Sequence, residues 1–173
     1  MRIYVSVGTH EQPFQRLLDS VALLVGSPDD EWLVQHGMGA WATDAPGVRA
    51  VDYLTAHEVS ETLTWADVMV SQASPGNAFG ALDAGVWPIV LGRQKRFGEH
   101  VDDHQVRFAR ALAEMGLATE LRDVAELASA LETERRREPA DRRTAIAEAN
   151  AASRARRRHF GTEAWPLILG DRA

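Results

Sequence analysis

Residues Thr64 to Leu112, TWADVMVSQASPGNAFGALDAGVWPIVLGRQKRFGEHVDDHQVRFARAL, put polar loops at the ends of two successive apolar strands. The first strand, Val68 to Ser71, runs into a Ser74-Pro75-Gly76-Asn77 turn and then a helix. The second, Trp87 to Leu91, runs into a polar loop that closes on Asp102, Asp103, His104 and Gln105, where the next helix is expected to begin. Strand and helix alternating in this way predict a parallel sheet with helices on both faces. In such open sheets ligands bind outside the carboxyl ends of the strands, so both loops are expected to face one crevice.

The first loop suits a phosphate. Gly76 lets the backbone approach a ligand closely, Pro75 presets the helix entry, and the first-turn N–H groups at the positive end of the helix dipole attract an anion. Ser74 and Asn77 add side-chain donors. The same residues also read as an ordinary capped helix after a tight turn. In the second loop, acids, an imidazole and an amide together suit the hydroxyls of a sugar better than they suit a core.

Outward from this stretch the alternation continues. Ile3 to Val7 reads as a strand, Pro13 to Val25 as an amphipathic helix, Glu31 to Gln35 and Val48 to Tyr53 as strands, and Val59 to Trp65 as a short helix with Val59 and Leu63 at helical repeat. Asn77 to Ala84 and Asp103 to Met115 read as helices, Leu117 to Glu120 as a short strand, and Val124 to Leu131 as a further helix. Residues 1–132 are therefore expected to form one domain.

Residues 133–173 change character and read as an Arg-rich helical arm. They carry the clusters Arg135-Arg136-Arg137 and Arg156-Arg157-Arg158 and an apolar patch, Trp165 to Leu169. This is either a solvated surface helix or a docking arm whose arginines meet an acidic partner or anionic lipid headgroups.

The chain has 173 residues, 45% of them hydrophobic and 25% charged, with 19 basic against 25 acidic side chains for a net charge of −6. That balance argues against a nucleic-acid binder. It has no cysteine, which excludes disulfides and thiolate metal sites and fits a reducing cytoplasm. No apolar run reaches membrane-spanning length and the chain opens directly on a strand, so neither a transmembrane helix nor a signal peptide is expected.

The run VSQASPGNAF followed by GEHVDDHQ resembles the C-terminal, nucleotide-sugar-binding half of family 28 glycosyltransferases. The opening VSVGTHEQPFQRLL, taken with GEHVDDHQ, is most similar to small bacterial subunits that transfer a sugar in exopolysaccharide or capsule synthesis, and to the catalytic subunit of the two-part eukaryotic transferase that adds a second GlcNAc to dolichol. The resemblance covers roughly residues 1 to 132.

It implies a single Rossmann-like half of a GT-B fold, with a UDP-sugar as ligand, a membrane-anchored acceptor-binding subunit as partner, and peripheral attachment at the cytoplasmic face through that partner. It places the diphosphate on Ser74, Gly76 and Asn77 and the donor sugar on Asp103, His104 and Gln105. The nucleoside falls on Tyr53 and Leu54. Gly8 to Gln12 lie at the seam with the acceptor half, where His10 and Glu11 are the candidate acid–base pair.

The implied reaction is an inverting hexosyl transfer with the leaving group stabilised by a helix N-terminus, so no cofactor and no protein-bound metal is expected. The chain departs from the family's pattern at three positions. Gly80 stands where an acidic residue usually holds the ribose, with Asp83 three residues on as a possible substitute; Gln72 replaces a usual histidine and Ser74 a usual glycine. These departures leave open a non-catalytic binding or regulatory subunit of the same fold.

Overall fold

The computed structural model describes residues 1–157, with backbone alone for residue 139 and residues 153–157. Six strands, β1 (Arg2–Ser6), β2 (Glu31–Gln35), β3 (Val48–Val51), β4 (Val68–Gln72), β5 (Trp87–Leu91) and β6 (Thr119–Leu121), form one sheet in the order β3-β2-β1-β4-β5-β6. Every pairing is parallel. The helices are α1 (Gln15–Ala22), α2 (Ala56–Trp65), α3 (Pro75–Asp83), α4 (His104–Glu114), α5 (Leu127–Arg136) and α6 (Pro139–Arg157). This is the Rossmann-like α/β architecture expected from the alternation of elements.

Burial follows from the two covered faces. All five residues of β4 and of β5 are buried, as an interior parallel strand requires. Alternation sorts Ile3, Val5, Trp32, Val34, Val68 and Val70 into one core with Leu17, Leu18 and Val21 of α1. Tyr4, Leu33 and Met69 point the other way, toward Leu63 of α2 and Ala81 of α3. Each fully buried aliphatic side chain contributes about 1.5–3 kcal/mol.

Several element ends differ from expectation, each for a local reason. Helix α1 starts at Gln15 rather than Pro13, because Phe14 has non-helical angles (φ −107°, ψ 56°) and sinks its ring into the core. Helix α2 starts three residues earlier than expected. Thr55 and Glu58 form a reciprocal cap, the Thr55 hydroxyl accepting from the Glu58 N–H at 3.3 Å and the Glu58 carboxylate accepting from the Thr55 N–H at 2.7 Å. Helix α3 starts at Pro75, so Gly76 and Asn77 sit inside its first turn. The last strand begins at Thr119, since Leu117 still donates to the Leu112 carbonyl to close α4, with Gly116 at φ +68°. The segment Val124 to Leu131 divides into a 3-10 turn over Val124–Glu126 and helix α5.

The segment expected to begin an arm is tied to the domain. Arg135 forms a bidentate pair with buried Asp30 at 2.9 Å on each side, and Arg137 lies over the Trp87 ring at 5.1 Å. The Glu134 carboxylate, raised by burial against the pull of Arg137 and Arg142, lies 3.2 Å from Arg137. Helix α6 buries Ile146 and Ala149 in the main core, and its Asn150 amide donates to the Leu82 carbonyl of α3. The side chains of the Arg156-Arg157-Arg158 cluster and the Trp165 to Leu169 patch lie outside the described residues. Among the described residues no helix is long and apolar enough to cross a membrane.

Candidate functional site

The strand order reverses between β1 and β4, and a cleft of about 510 Å3 opens at the carboxyl ends of these strands. Tyr4, Ser6, Gly8, Thr9 and His10 line it from β1 and its loop, and Gln35 from β2. Gln72, Ser74 and Asn77 line it from β4 and α3, Leu54 and Val59 from around the start of α2, and Arg93 and Gln105 from the β5–α4 segment. No carboxylate is among these residues.

At the α3 side the Ser74 hydroxyl caps the helix, accepting from the Asn77 N–H at 3.4 Å, and Pro75 occupies the first turn. Pro75 has no N–H, so the Gly76 N–H is the first-turn donor left for a ligand. A Cβ at Gly76 would meet nothing within 4 Å. The Asn77 amide donates to the Gln72 side-chain carbonyl at 3.1 Å. Gln72 in turn presses on Gly8, where a Cβ would come 2.3 Å from its Nε2 and where φ is +76°. The positive φ favours glycine there, and any side chain would also displace the Gln72 amide.

Arg93 is the residue whose importance the sequence analysis missed. Only 1% exposed, it donates from Nη1 to the carbonyls of Gln12 (2.6 Å) and Glu99 (3.1 Å) and from Nη2 to the carbonyl of Val7 (2.8 Å). Its backbone N–H donates to the Gln105 side chain at 3.3 Å. The guanidinium stacks 4.8 Å from the Phe14 ring. Burial pulls its pKa down to about 10, partly offset by Glu99. Glu99 itself is bound by Arg16 at 2.9 and 3.0 Å, so Arg93 is met mainly by carbonyl dipoles. A charged side chain directly after the glycine that follows β5 was the available signal. Tyr4, Ser6 and Gln35 were also unremarked: polar side chains on otherwise apolar strands, joined by Tyr4 donating to Gln35 at 2.9 Å.

Imidazoles gather at the mouth. His10 lies 4.8 Å, ring to ring, from His100, and His100 lies 4.5 Å from His104. His10 Nδ1 accepts from the Gln12 N–H at 3.2 Å, so the neutral ring carries its proton on Nε2 and offers a donor there. His104 Nδ1 sits against Asp102, which leaves its Nε2 lone pair free. Burial, with His104 and His10 nearby, lowers the His100 pKa and favours its neutral form. The ligand atoms of His100, Asp102 and His104 lie within 4.8 Å of one another, a donor set that suits a zinc-like ion.

Of the residues singled out from the sequence, the structure brings His10, Leu54, Ser74, Asn77 and Gln105 to this cleft. Gly76 is exposed and is not among the lining residues, although Ser74 and Asn77 on either side of it are. Glu11, Tyr53 and Asp83 are exposed outside the lining, and His104 stands at the mouth. Asp103 lines a separate depression and accepts from the Lys95 N–H at 2.8 Å. Gly80 faces α2, where a Cβ would meet only Leu63, at 3.9 Å.

A parallel sheet whose switch-point cleft holds Arg93 and no carboxylate in its lining defines an α/β half-domain of the doubly wound kind. The chain belongs to the glycosyltransferase family 28 C-terminal domain, a family of sugar-nucleotide donor-binding domains, whose model matches residues 2–158. Among solved structures it is similar to the glycotransferase of kitacinnamycin, at 20% identity over 89% of this chain and 39% of that one, TM-score 0.68. SnogD from Streptomyces nogalater is similar at 20% identity over 87% of this chain and 39% of that one, TM-score 0.59. The spinosyn rhamnosyltransferase SpnG complexed with thymidine diphosphate is similar at 17% identity over 89% and 41%, TM-score 0.60. These likenesses are of fold, that of a GT-B half-domain, and the chain spans about two fifths of each structure's length. No curated protein sequence matches significantly.

Proposed function

We propose that this domain is the donor-binding catalytic half of a glycosyltransferase that moves a hexosyl group from a UDP-sugar to a lipid-linked acceptor in polysaccharide synthesis. The observation that carries the reading is the acid-free lining of the switch-point cleft, with Arg93 in its floor and the α3 N-terminus in its wall. A diphosphate fits that field, and thymidine diphosphate in a neighbour of the same fold supports a pyrimidine nucleotide.

In this reading the acceptor hydroxyl attacks the anomeric carbon as the bond to the diphosphate breaks, with inversion. The departing charge is stabilised by the Gly76 N–H, the α3 dipole and Arg93. Gln105, with His104 at the mouth, binds the sugar hydroxyls, and Leu54 serves the nucleoside, whereas Asp103 faces the other side of the wall and Tyr53 and Asp83 lie outside the lining. His10, with its proton held on Nε2, suits a donor to the sugar or leaving oxygen. The hydroxyl proton goes to Glu11 or to the facing wall. We place that wall on a membrane-anchored acceptor subunit, through which the domain sits peripherally at the cytoplasmic face.

Calorimetry with UDP, thymidine diphosphate and UDP-hexoses tests the donor assignment. Binding weakened by Asn77→Ala is expected, and no response at millimolar nucleotide would sink the reading. Gly80, which offers no ribose-binding carboxylate, favours a non-catalytic donor-binding subunit as the second reading. Nucleotide binding without transfer in the presence of the acceptor subunit would select it.

A further inference from the structure

A second concavity lies across the wall of the first. The segment from Gly92 to Val106 is shared: Arg93 and Gln105 face the donor cleft, while Gly92, Gln94, Asp103 and Val106 face a depression of about 370 Å3 beyond the carboxyl ends of β5 and β6. The wall is tight, since a Cβ at Gly92 would come 2.6 Å from the Val106 backbone. Three exposed arginines from separate elements line this depression: Arg96 in the 3-10 turn Lys95–Phe97, Arg110 on α4 and Arg122 just after β6. None of the three forms an ion pair with any described residue. Two acids share the lining. One of these, Asp103, already accepts from the Lys95 N–H, and the other is Glu120, so the lining is net positive.

We propose that this depression is a second anion site, built for a diphosphate group and distinct from the donor cleft. Unpaired guanidinium forks arriving from a turn, a helix and a strand end match phosphoryl oxygens in charge and geometry, and a multiply charged ligand compensates three arginines better than a single carboxylate does. The group is carried by a soluble diphosphate or by a lipid headgroup, and the same side chains meet it in either case. The shared wall makes the site a neighbour of the transferring group rather than a remote patch. The inference holds whether or not the first cleft takes a nucleotide.

The test is titration of the whole chain with inorganic pyrophosphate by calorimetry, at low and at raised salt. Saturable binding that persists in Asn77→Ala, which weakens the donor cleft, is expected, and in that background it is weakened roughly tenfold by Arg110→Gln and by Arg122→Gln and further weakened by salt. These arginines are exposed, so their variants should fold. Co-sedimentation with phosphatidylcholine vesicles containing phosphatidic acid, lost in the Arg110→Gln/Arg122→Gln double variant, would assign the lipid source. Pyrophosphate binding without co-sedimentation would assign a soluble one. Absence of saturable binding to the whole chain, or binding in the Asn77→Ala background that survives the Arg110→Gln/Arg122→Gln double variant, overturns the proposal. Binding lost on Asn77→Ala alone also overturns it, by returning the ion to the first cleft, and leaves the donor reading standing.

Discussion

Replacing Arg93 by Met tests whether one buried cation holds the cleft together. The substitution removes three hydrogen bonds from a charged donor, to the carbonyls of Gln12, Glu99 and Val7, at 2.6, 3.1 and 2.8 Å. Each such bond contributes about 1.5–3 kcal/mol, and the three carbonyls would be left without these donors. Against this, Met removes the cost of burying a guanidinium, the cost that pulls the Arg93 pKa down to about 10. Breaking a buried charged network costs about 3–5 kcal/mol net, within the roughly 5–15 kcal/mol that holds a domain folded. The variant should therefore fold with a clearly lower urea midpoint. Arg93→Lys keeps the charge, but a single ammonium replaces a fork that spans three carbonyls on two loops, so about half the loss is expected. Hydrogen exchange reads the loop directly: the amides of Gly8 to Gln12 should exchange faster in both variants, and nucleotide affinity should fall more in Met than in Lys. A stability change below about 1 kcal/mol, with unchanged exchange over residues 8–12, would refute the reasoning.

Four further outcomes follow from single contacts. Gly8→Ala forces a side chain into φ +76° and against Gln72 Nε2 at 2.3 Å, so it should cost about 1–3 kcal/mol in thermal unfolding and weaken nucleotide binding; wild-type behaviour in both would contradict the packing. Gly80→Glu has room, with Leu63 at 3.9 Å as its Cβ neighbour, and should tighten nucleotide binding up to about tenfold by calorimetry; unchanged affinity in a folded variant would place the ribose elsewhere. Burial opposes the Asp30 carboxylate, but Arg135 and the Met1 amine carry its pKa below the usual 3.8, so its stabilisation is full above that value and is lost as pH falls through the lower folded one. Asp30→Asn should then cost about 1–3 kcal/mol at neutral pH, discounted because Arg135 is partly exposed, and should flatten the stability decline below about pH 4; an unaltered decline would argue against the pair. Truncation after Leu131 removes Arg135, Ile146 and Ala149 from their contacts and should lower the urea midpoint; an unchanged midpoint would show that α6 contributes nothing.

The sheet is legible in the sequence because interior parallel strands bury both faces and leave unbroken apolar runs, as in Val68 to Ser71 and Trp87 to Leu91. Helix ends are less so, since they depend on local bonds: the Thr55–Glu58 reciprocal cap is a readable motif that moves the start of α2, whereas the late start of α1 depends on Phe14 packing beneath Arg93. The loop after β4 is legible as a cap and a donor because its chemistry is local. Arg93 is not legible as a site residue, since its three acceptors come from residues 7, 12 and 99, distant in sequence and joined only when β1 and β5 flank β4. The same holds for the sorting of Asp103 and Gln105 to opposite sides of one wall, which depends on how that segment lies against α4.

Net charge gives the wrong sign for this surface. The chain carries −6 overall, yet Arg93 lies in the cleft with the positive end of α3, and Arg96, Arg110 and Arg122 line the depression across the wall. Glu99, the carboxylate closest to cancelling Arg93, is held by Arg16, and the direct partners of Arg93 are dipoles that stabilise its charge without neutralising it. In a low-dielectric cleft a field of that kind is weakly screened, and in the proposed reading a bound diphosphate supplies the counter-charge. The excess of acids over the rest of the chain does not cancel it, because exposed charges more than about 8–10 Å away are largely screened at physiological salt. A negatively charged protein thus presents a locally positive crevice, which is seen by locating charges on the fold rather than by counting them.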